Sequence, residues 1–196
     1  MITITKHQQP ELFQLCKNMA KMKTDSQFSQ LFHIDEQYIK WTNAQALLRA
    51  DIEILRTFHD TLTETSIKPG FYKAVKEDSN TFILLHQDTN IMFPDVNKVI
   101  PSDISVLNKV SEYAMTAETL LSIVPAIFSN LDNKTLYSID PKYAQLAIDL
   151  NLTTLRLTKP NCPLFFTEDN NITLVVMPKI FAEFKYNDQD YSKVVW

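Results

Sequence analysis

Four histidines and two cysteines are the side chains best suited to hold a metal or attack an electrophile, and their spacing argues against both roles. His7, His33, His59 and His86 stand apart from one another and from Cys16 and Cys162, in no pattern that resembles a zinc site. Each histidine is expected at the surface or half buried. Cys162 lies between Asn161 and Pro163 with no base near it in sequence, a poor setting for a nucleophile. Asp51 and Glu53 would share one face of a strand and could pair as acid and base, but solvated alternation on an antiparallel sheet is the plainer reading. The single glycine, Gly70, removes every Gly-rich phosphate loop and leaves the turns to Asn, Asp and Pro. The expectation is therefore a protein that is not an enzyme and carries no metal or cofactor. Lys17 and Lys21 stand one helical turn apart with Lys23 just beyond. Such a face can follow a phosphate backbone without reading bases, or it can be an ordinary solvated helix face.

These residues must be positioned by recognisable elements. Residues 2–6 (ITITK) alternate as a half-buried strand does. A helix follows, with Pro10 in its first turn and Leu12, Leu15, Cys16 and Met19 on one face. Strands are expected at 31–35 and 38–42, turned by Asp35-Glu36-Gln37, and then through Leu48, Ala50, Ile52 and Ile54, where the period is two. Two more fall at 71–76 and 81–86. Residues 93–101 (FPDVNKVIP), with proline near each end, read as an extended linker. Residues 104–115 are ambiguous, and Thr116 could cap a helix over 117–129 that Pro125 would kink. Asp140-Pro141 is an N-cap followed by an N1 proline, opening a helix with a Tyr143, Leu146, Ala147, Leu150 stripe. Strands at 153–158, 163–167 and 172–177 complete a second helix-plus-three-strands unit. The division is residues 1–95, a reduced second domain at 96–180, and a tail at 181–196.

Composition sets the outer limits. With 196 residues, 45% apolar and 21% charged, the chain is long enough to bury a sizeable core and ordinary for a globular protein. No apolar run reaches the ~18 residues of a membrane span, and the first residues do not read as a signal peptide. Two cysteines without motif spacing fit a reducing, cytoplasmic setting. A net charge of −4 argues against indiscriminate nucleic-acid binding but permits a local basic face.

Several segments carry a family resemblance. FPDVNKVIP (93–101) resembles the stretch joining the second and third domains of the DNA polymerase III β subunit, the bacterial sliding clamp. LVVMP (174–178) is similar to that clamp's last strand, which ends in a Val-Val-Met-Pro element. The helix and three strands before it are similar to the family's closing half-domain, including the Tyr-x-x-x-x-Ile spacing in DPKYAQLAIDL. YIKWTNAQALL (38–48) sits where the family has a strand, a Thr-Asp-Gly turn and a leucine. Three departures stand out. Asn43-Ala44-Gln45 replaces an Asp-Gly-His turn, the match begins at the family's second domain, and the stretch from Pro101 to Leu136 is too short for a helix and three strands. A second helix is also not evident between Leu55 and Gly70.

The resemblance implies an α+β, DNA clamp-like fold with helices on one face of antiparallel sheets. It implies a replication accessory protein, a processivity factor or docking platform, with helices facing duplex DNA. Polymerase or repair-protein peptides would dock in an apolar cleft. By position, that cleft would use Thr42 and Leu47, then Pro94, Lys98 and Val99 in the linker, then Val175, Val176, Met177 and Pro178. The DNA-facing residues would be Lys17, Lys21 and Lys23. Family rings hold six domains, so a two-domain chain would need a homo-oligomer of three copies. The alternative is a clamp-like peptide-binding adaptor that never encircles DNA; a small enzyme is a distant third reading.

Overall fold

The scarcity of glycine is answered throughout by aspartate and asparagine side chains that accept main-chain N–H groups at the turns. In the computed structural model, Asp35 Oδ1 accepts from the N–H groups of Gln37 and Tyr38 at 2.9 and 2.8 Å, closing the turn between β2 (Leu31–Ile34) and β3 (Tyr38–Thr42). Asp78 does the same for Asn80 at 2.7 Å, between β5 (Gly70–Lys76) and β6 (Thr81–Gln87). These are Asx-turns, in which a carboxylate or amide oxygen stands in for a backbone acceptor. The structure describes residues 1–19, 21–22, 24–56, 67–101, 103–104, 107–112, 136–152, 154–157, 163–168 and 171–181. The expected helix over 117–129 and the tail beyond Phe181 lie outside them.

Helix starts follow the same chemistry. α1 (Pro10–Met19) opens on a proline whose missing N–H costs nothing there, with Glu11 in its first turn and Lys17 in its last, as the helix dipole favours. Asp51, at the end of β4 (Ala46–Asp51), accepts from the Glu53 N–H at 2.9 Å and opens the one-turn α2 (Glu53–Arg56). The alternation through Ile52 and Ile54 therefore does not continue as strand: β4 ends where this side chain turns the chain. Asp95 caps a 3-10 turn over Val96–Lys98, so the linker is turned rather than extended. Asp140 caps α3 (Pro141–Asp149), with Pro141 in its first turn, as the sequence indicates.

Among the described residues the strands form one antiparallel ten-stranded sheet, in the order β1-β6-β5-β2-β3-β4-β11-β10-β9-β7, and a two-stranded sheet, β12-β8. Here β1 is Ile2–Thr5, β7 Asn108–Glu112, β8 Leu136–Ser138, β9 Thr154–Leu157, β10 Leu164–Glu168, β11 Ile172–Val176 and β12 Lys179–Phe181. Reading outward from the central β4–β11 pair gives 4-3-2 on one side and 11-10-9 on the other, so the two helix-plus-three-strands units meet strand to strand. Their helices also meet, through Asn18 Nδ2 donating to Asp149 Oδ2 at 2.8 Å. Residues on both sides of position 95 share this sheet and one core.

That core lies on one face. Ile4, Phe32, Trp41, Leu48, Leu174 and Val176 from the sheet pack against Leu12, Leu15 and Met19 of α1 and Tyr143, Leu146 and Ala147 of α3. The architecture is α+β, with the helices on one face of an antiparallel sheet. The other face carries a smaller apolar cluster, and the candidate site is built on it.

Candidate functional site

Cross-strand register sets four residues in a row on the face opposite the helices. Thr42 opposes Leu47, Leu47 opposes Val175, and Val175 opposes Phe165. Directly opposed residues point to the same side of a sheet, so these form one continuous strip across four strands. Val175 and Phe165 are buried and Leu47 is half buried. The cover is the segment after the 3-10 turn: Ile100, Ile104 and Leu107 pack on Phe165, Val175 and Leu47 as a second core. Fully burying an isoleucine contributes about 1.5–3 kcal/mol, enough to hold such a strap in place. Arg156 Nη1 adds a hydrogen bond to the Leu107 carbonyl at 3.0 Å.

Two apolar side chains adjoining these segments in the chain stay open to solvent. Val99, next to the buried Ile100, is 42% exposed, and Met177, just past β11, is 49% exposed. A polar strip runs beside the apolar one, Lys40 opposing Arg49, Arg49 opposing Thr173, and Thr173 opposing Thr167. The Arg49 guanidinium lies 5.0 Å from the Tyr38 ring centre, a cation–π contact. Burial draws the Arg49 pKa down, opposed by Tyr38.

The β3–β4 turn at the end of the strip is tied down from both sides of the sheet. Asn43 is fully buried; its Oδ1 accepts from the N–H groups of Gln45 and Ala46 at 3.1 and 2.9 Å. Its Nδ2 donates to the Met22 carbonyl at 2.9 Å and to the Tyr143 hydroxyl at 2.8 Å. The Tyr143 hydroxyl in turn donates to Gln45 Oε1 at 2.9 Å. The Gln45 carbonyl accepts from the Met177 N–H at 2.9 Å. Ala44, between them, sits at φ 72°, a left-handed conformation that glycine adopts more easily.

The expected cleft residues fall in different places. Thr42, Leu47 and Val175 come together, and Met177 stands beside their turn. Val176 does not join them: it alternates to the opposite face, fully buried in the main core. Pro178 is half buried and Lys98 exposed. Pro94 lines a separate groove of about 340 Å³ together with His33, Lys40, Met92, Asp95 and Asn97. There Phe93 sits among Phe28, His33 and Phe71, stacked on His33 at 5.1 Å between ring centres. Burial, then the nearby Lys40 charge, lowers the His33 pKa against an opposing push from Asp35. Lys17 and Lys21 are exposed at and just past the end of α1, and Lys23 lies outside the described residues. Among the described residues no group of three or more His, Cys, Asp or Glu is placed to hold a metal ion. No described helix is long and apolar enough to cross a membrane.

The sequence reading missed Phe165, Ile100, Gln45 and Tyr143. Tyr143 carried a signal: a tyrosine on an apolar stripe brings a hydroxyl into the core, where it needs a partner. Phe165 and Ile100 carried none, because the strip exists only once distant strands are in register.

No protein-family model and no curated protein matches the chain. Among solved structures it is similar to bacterial sliding clamps. The Helicobacter pylori β clamp bound to a DNA ligase peptide is 17% identical, with a TM-score of 0.44, covering 91% of this chain and 64% of the clamp. A putative DNA polymerase III β subunit of Eubacterium rectale is 12% identical, with a TM-score of 0.47 over the same shares. The sliding clamp of Bartonella birtlesii bound to griselimycin is 14% identical, with a TM-score of 0.47, covering 91% of this chain and 65% of that one. This chain thus spans about 64% of the length of the clamps it matches.

Proposed function

We propose that this protein is a sliding-clamp-like accessory factor of DNA replication, a docking platform or processivity factor without chemistry of its own. One observation carries the reading. On the face opposite α1 and α3, Leu47 and Val175 lie under the segment of Ile100, Ile104 and Leu107, while Val99, beside Ile100 in the chain, and Met177, just past β11, stay exposed. The exposed Val99 and Met177 would take the apolar end of a polymerase or repair-protein peptide, with Met177 adapting to varied side chains, Lys98 and Pro178 beside them, and Thr42, Leu47 and Val175 supporting them from beneath. Val176 would support the strip from behind. The helix side would face duplex DNA through Lys17, Lys21 and Lys23, in a weak, salt-sensitive and sequence-independent contact.

The test has two arms. Met177→Asp should weaken binding of a short polar-then-apolar peptide, read by fluorescence anisotropy, while leaving the melting curve near the parent's. Lys17→Glu with Lys21→Glu should weaken duplex association at low salt and leave peptide binding alone. Peptide binding without any duplex association would leave the adaptor reading in its place. Ring assembly would join copies head to tail through the end strands β1 and β7, and three copies in light scattering is the expected mass. A strictly monomeric species at high concentration would exclude the ring.

A further inference from the structure

The molecule has a second concave surface, remote from the apolar strip. A groove of about 460 Å³ opens between α1 and the β5–β6 hairpin. Lys6, Lys17, Lys73 and Lys76 stand around it, and the buried rings of Phe13 and Phe82 line its floor. Among the described residues none of the four lysines is ion-paired; the nearby hairpin acids Glu77 and Asp78 form no salt bridge with them. In a chain of net charge −4, four unpaired ammonium groups around one groove are a marked local excess. The Lys6 N–H bonds the Asn80 carbonyl at 2.8 Å, which fixes the end of β1 to the hairpin turn and so holds the groove's outer wall.

We infer that this groove docks an acidic peptide segment of another protein, one with an apolar side chain between aspartates or glutamates. Charge complementarity selects the flanks, and the apolar lining, where Ala74 is only half buried over the Phe13 and Phe82 rings, suits an apolar centre. The volume is that of a few side chains and far too small to admit a duplex. Single-stranded nucleic acid needs exposed ring faces for its bases to stack on. Phe13 and Phe82 offer none: they are 4% and 8% exposed and meet edge to face at 5.2 Å between ring centres. Cys16, also at the groove, is buried, and its thiol is pushed up to about 12 by that burial, so the groove offers no thiolate. Lys17 is shared with the face proposed for duplex DNA; Lys73 and Lys76 are not.

The test uses the full chain and a fluorescent peptide with Glu-Asp flanks around a Leu-Phe pair. Lys73→Glu with Lys76→Glu should weaken its binding roughly ten-fold or more, as charge reversal at a complementary site does. A peptide with Lys flanks should not bind. Ser79→Glu, an exposed position on the groove wall, should weaken binding on its own and keeps the test intact if the double variant is unstable. Unchanged binding in both variants, or tighter binding of a single-stranded oligonucleotide of equal charge, would overturn the inference. Neither set of substitutions touches the apolar strip, so Met177→Asp should leave the acidic peptide bound.

Discussion

The main-chain N–H of Met177 donates to the carbonyl of Gln45 at 2.9 Å, binding the residue after the last strand of the large sheet to a turn 132 positions earlier in the chain. The same Gln45 accepts the Tyr143 hydroxyl through its side chain. A helix on one face and an exposed methionine at the other are thus held by opposite ends of one residue. Met177 is anchored by its backbone, which leaves its thioether free to be a contact rather than a support.

Met177→Ala and its neighbour Val176→Ala should therefore behave differently. Met177 is 49% exposed, so its truncation should change stability by no more than about 0.5 kcal/mol. Val176 is fully buried, and the same change there should cost about 2 kcal/mol. Urea midpoints of the two variants give the comparison, and equal losses would contradict the face assignment.

Tyr143→Phe removes one hydroxyl and leaves two groups short of a partner. Asn43 Nδ2 keeps only the Met22 carbonyl, and Gln45 Oε1 loses its donor. A loss of about 1–3 kcal/mol is expected from the buried Asn43 amide, while the exposed Gln45 can turn to water. The amide of Met177 should exchange faster with solvent, which would separate loosening of the turn from a general loss of stability.

Ala44→Gly should stabilise the protein. Ala44 holds φ at 72°, which costs an L-residue about 1–2 kcal/mol. Glycine removes that strain and gives back part of the gain through a looser unfolded chain, so a net of about 0.5 kcal/mol is expected. Thermal unfolding at matched concentration checks the sign.

Gly70→Ala should do the reverse. Gly70 has φ 146°, and an added Cβ would come within 2.7 Å of His86 Nε2. A loss of about 1–3 kcal/mol is expected. Adding His86→Ala should recover the steric part and leave the conformational part, so a full rescue would mean that the backbone is not strained.

Stability should fall on acidification below pH 6.5 through His33. Its pKa is lowered in the fold, by burial and then by Lys40, with Asp35 opposing. The unfolded chain therefore binds the proton more readily. Stability is complete above the ordinary value of 6.5 and declines as pH drops towards the lowered one. His33→Gln should flatten this part of the curve; the Phe93 stack on His33 makes ring fluorescence-independent probes, such as urea midpoints against pH, the cleaner readout.

What the sequence by itself determined were features decided within a few residues. Asp140-Pro141 opened a helix, Asp35 made a turn, and the stripes of α1 and α3 found the core, because caps, Asx-turns and helical period act over one or two turns of chain. Resemblance to a family, and not pattern, put Thr42, Leu47 and Val175 in one set, and the strand register sets them side by side on the sheet. Where local signals competed the reading slipped: Ile52 and Ile54 continued a strand's alternation, but the Asp51 carboxylate turned the chain first. Tertiary structure alone decided the rest. Only the β4–β11 register says that Val175 faces the strip and Val176 the core, since a one-residue slip would exchange them. Only packing shows that Ile100, Ile104 and Leu107 lie over that strip, and that Lys73 and Lys76 join Lys6 and Lys17 around one groove. These contacts join residues tens of positions apart, and the side of a sheet on which a residue lands is fixed by its partners rather than by its neighbours in sequence.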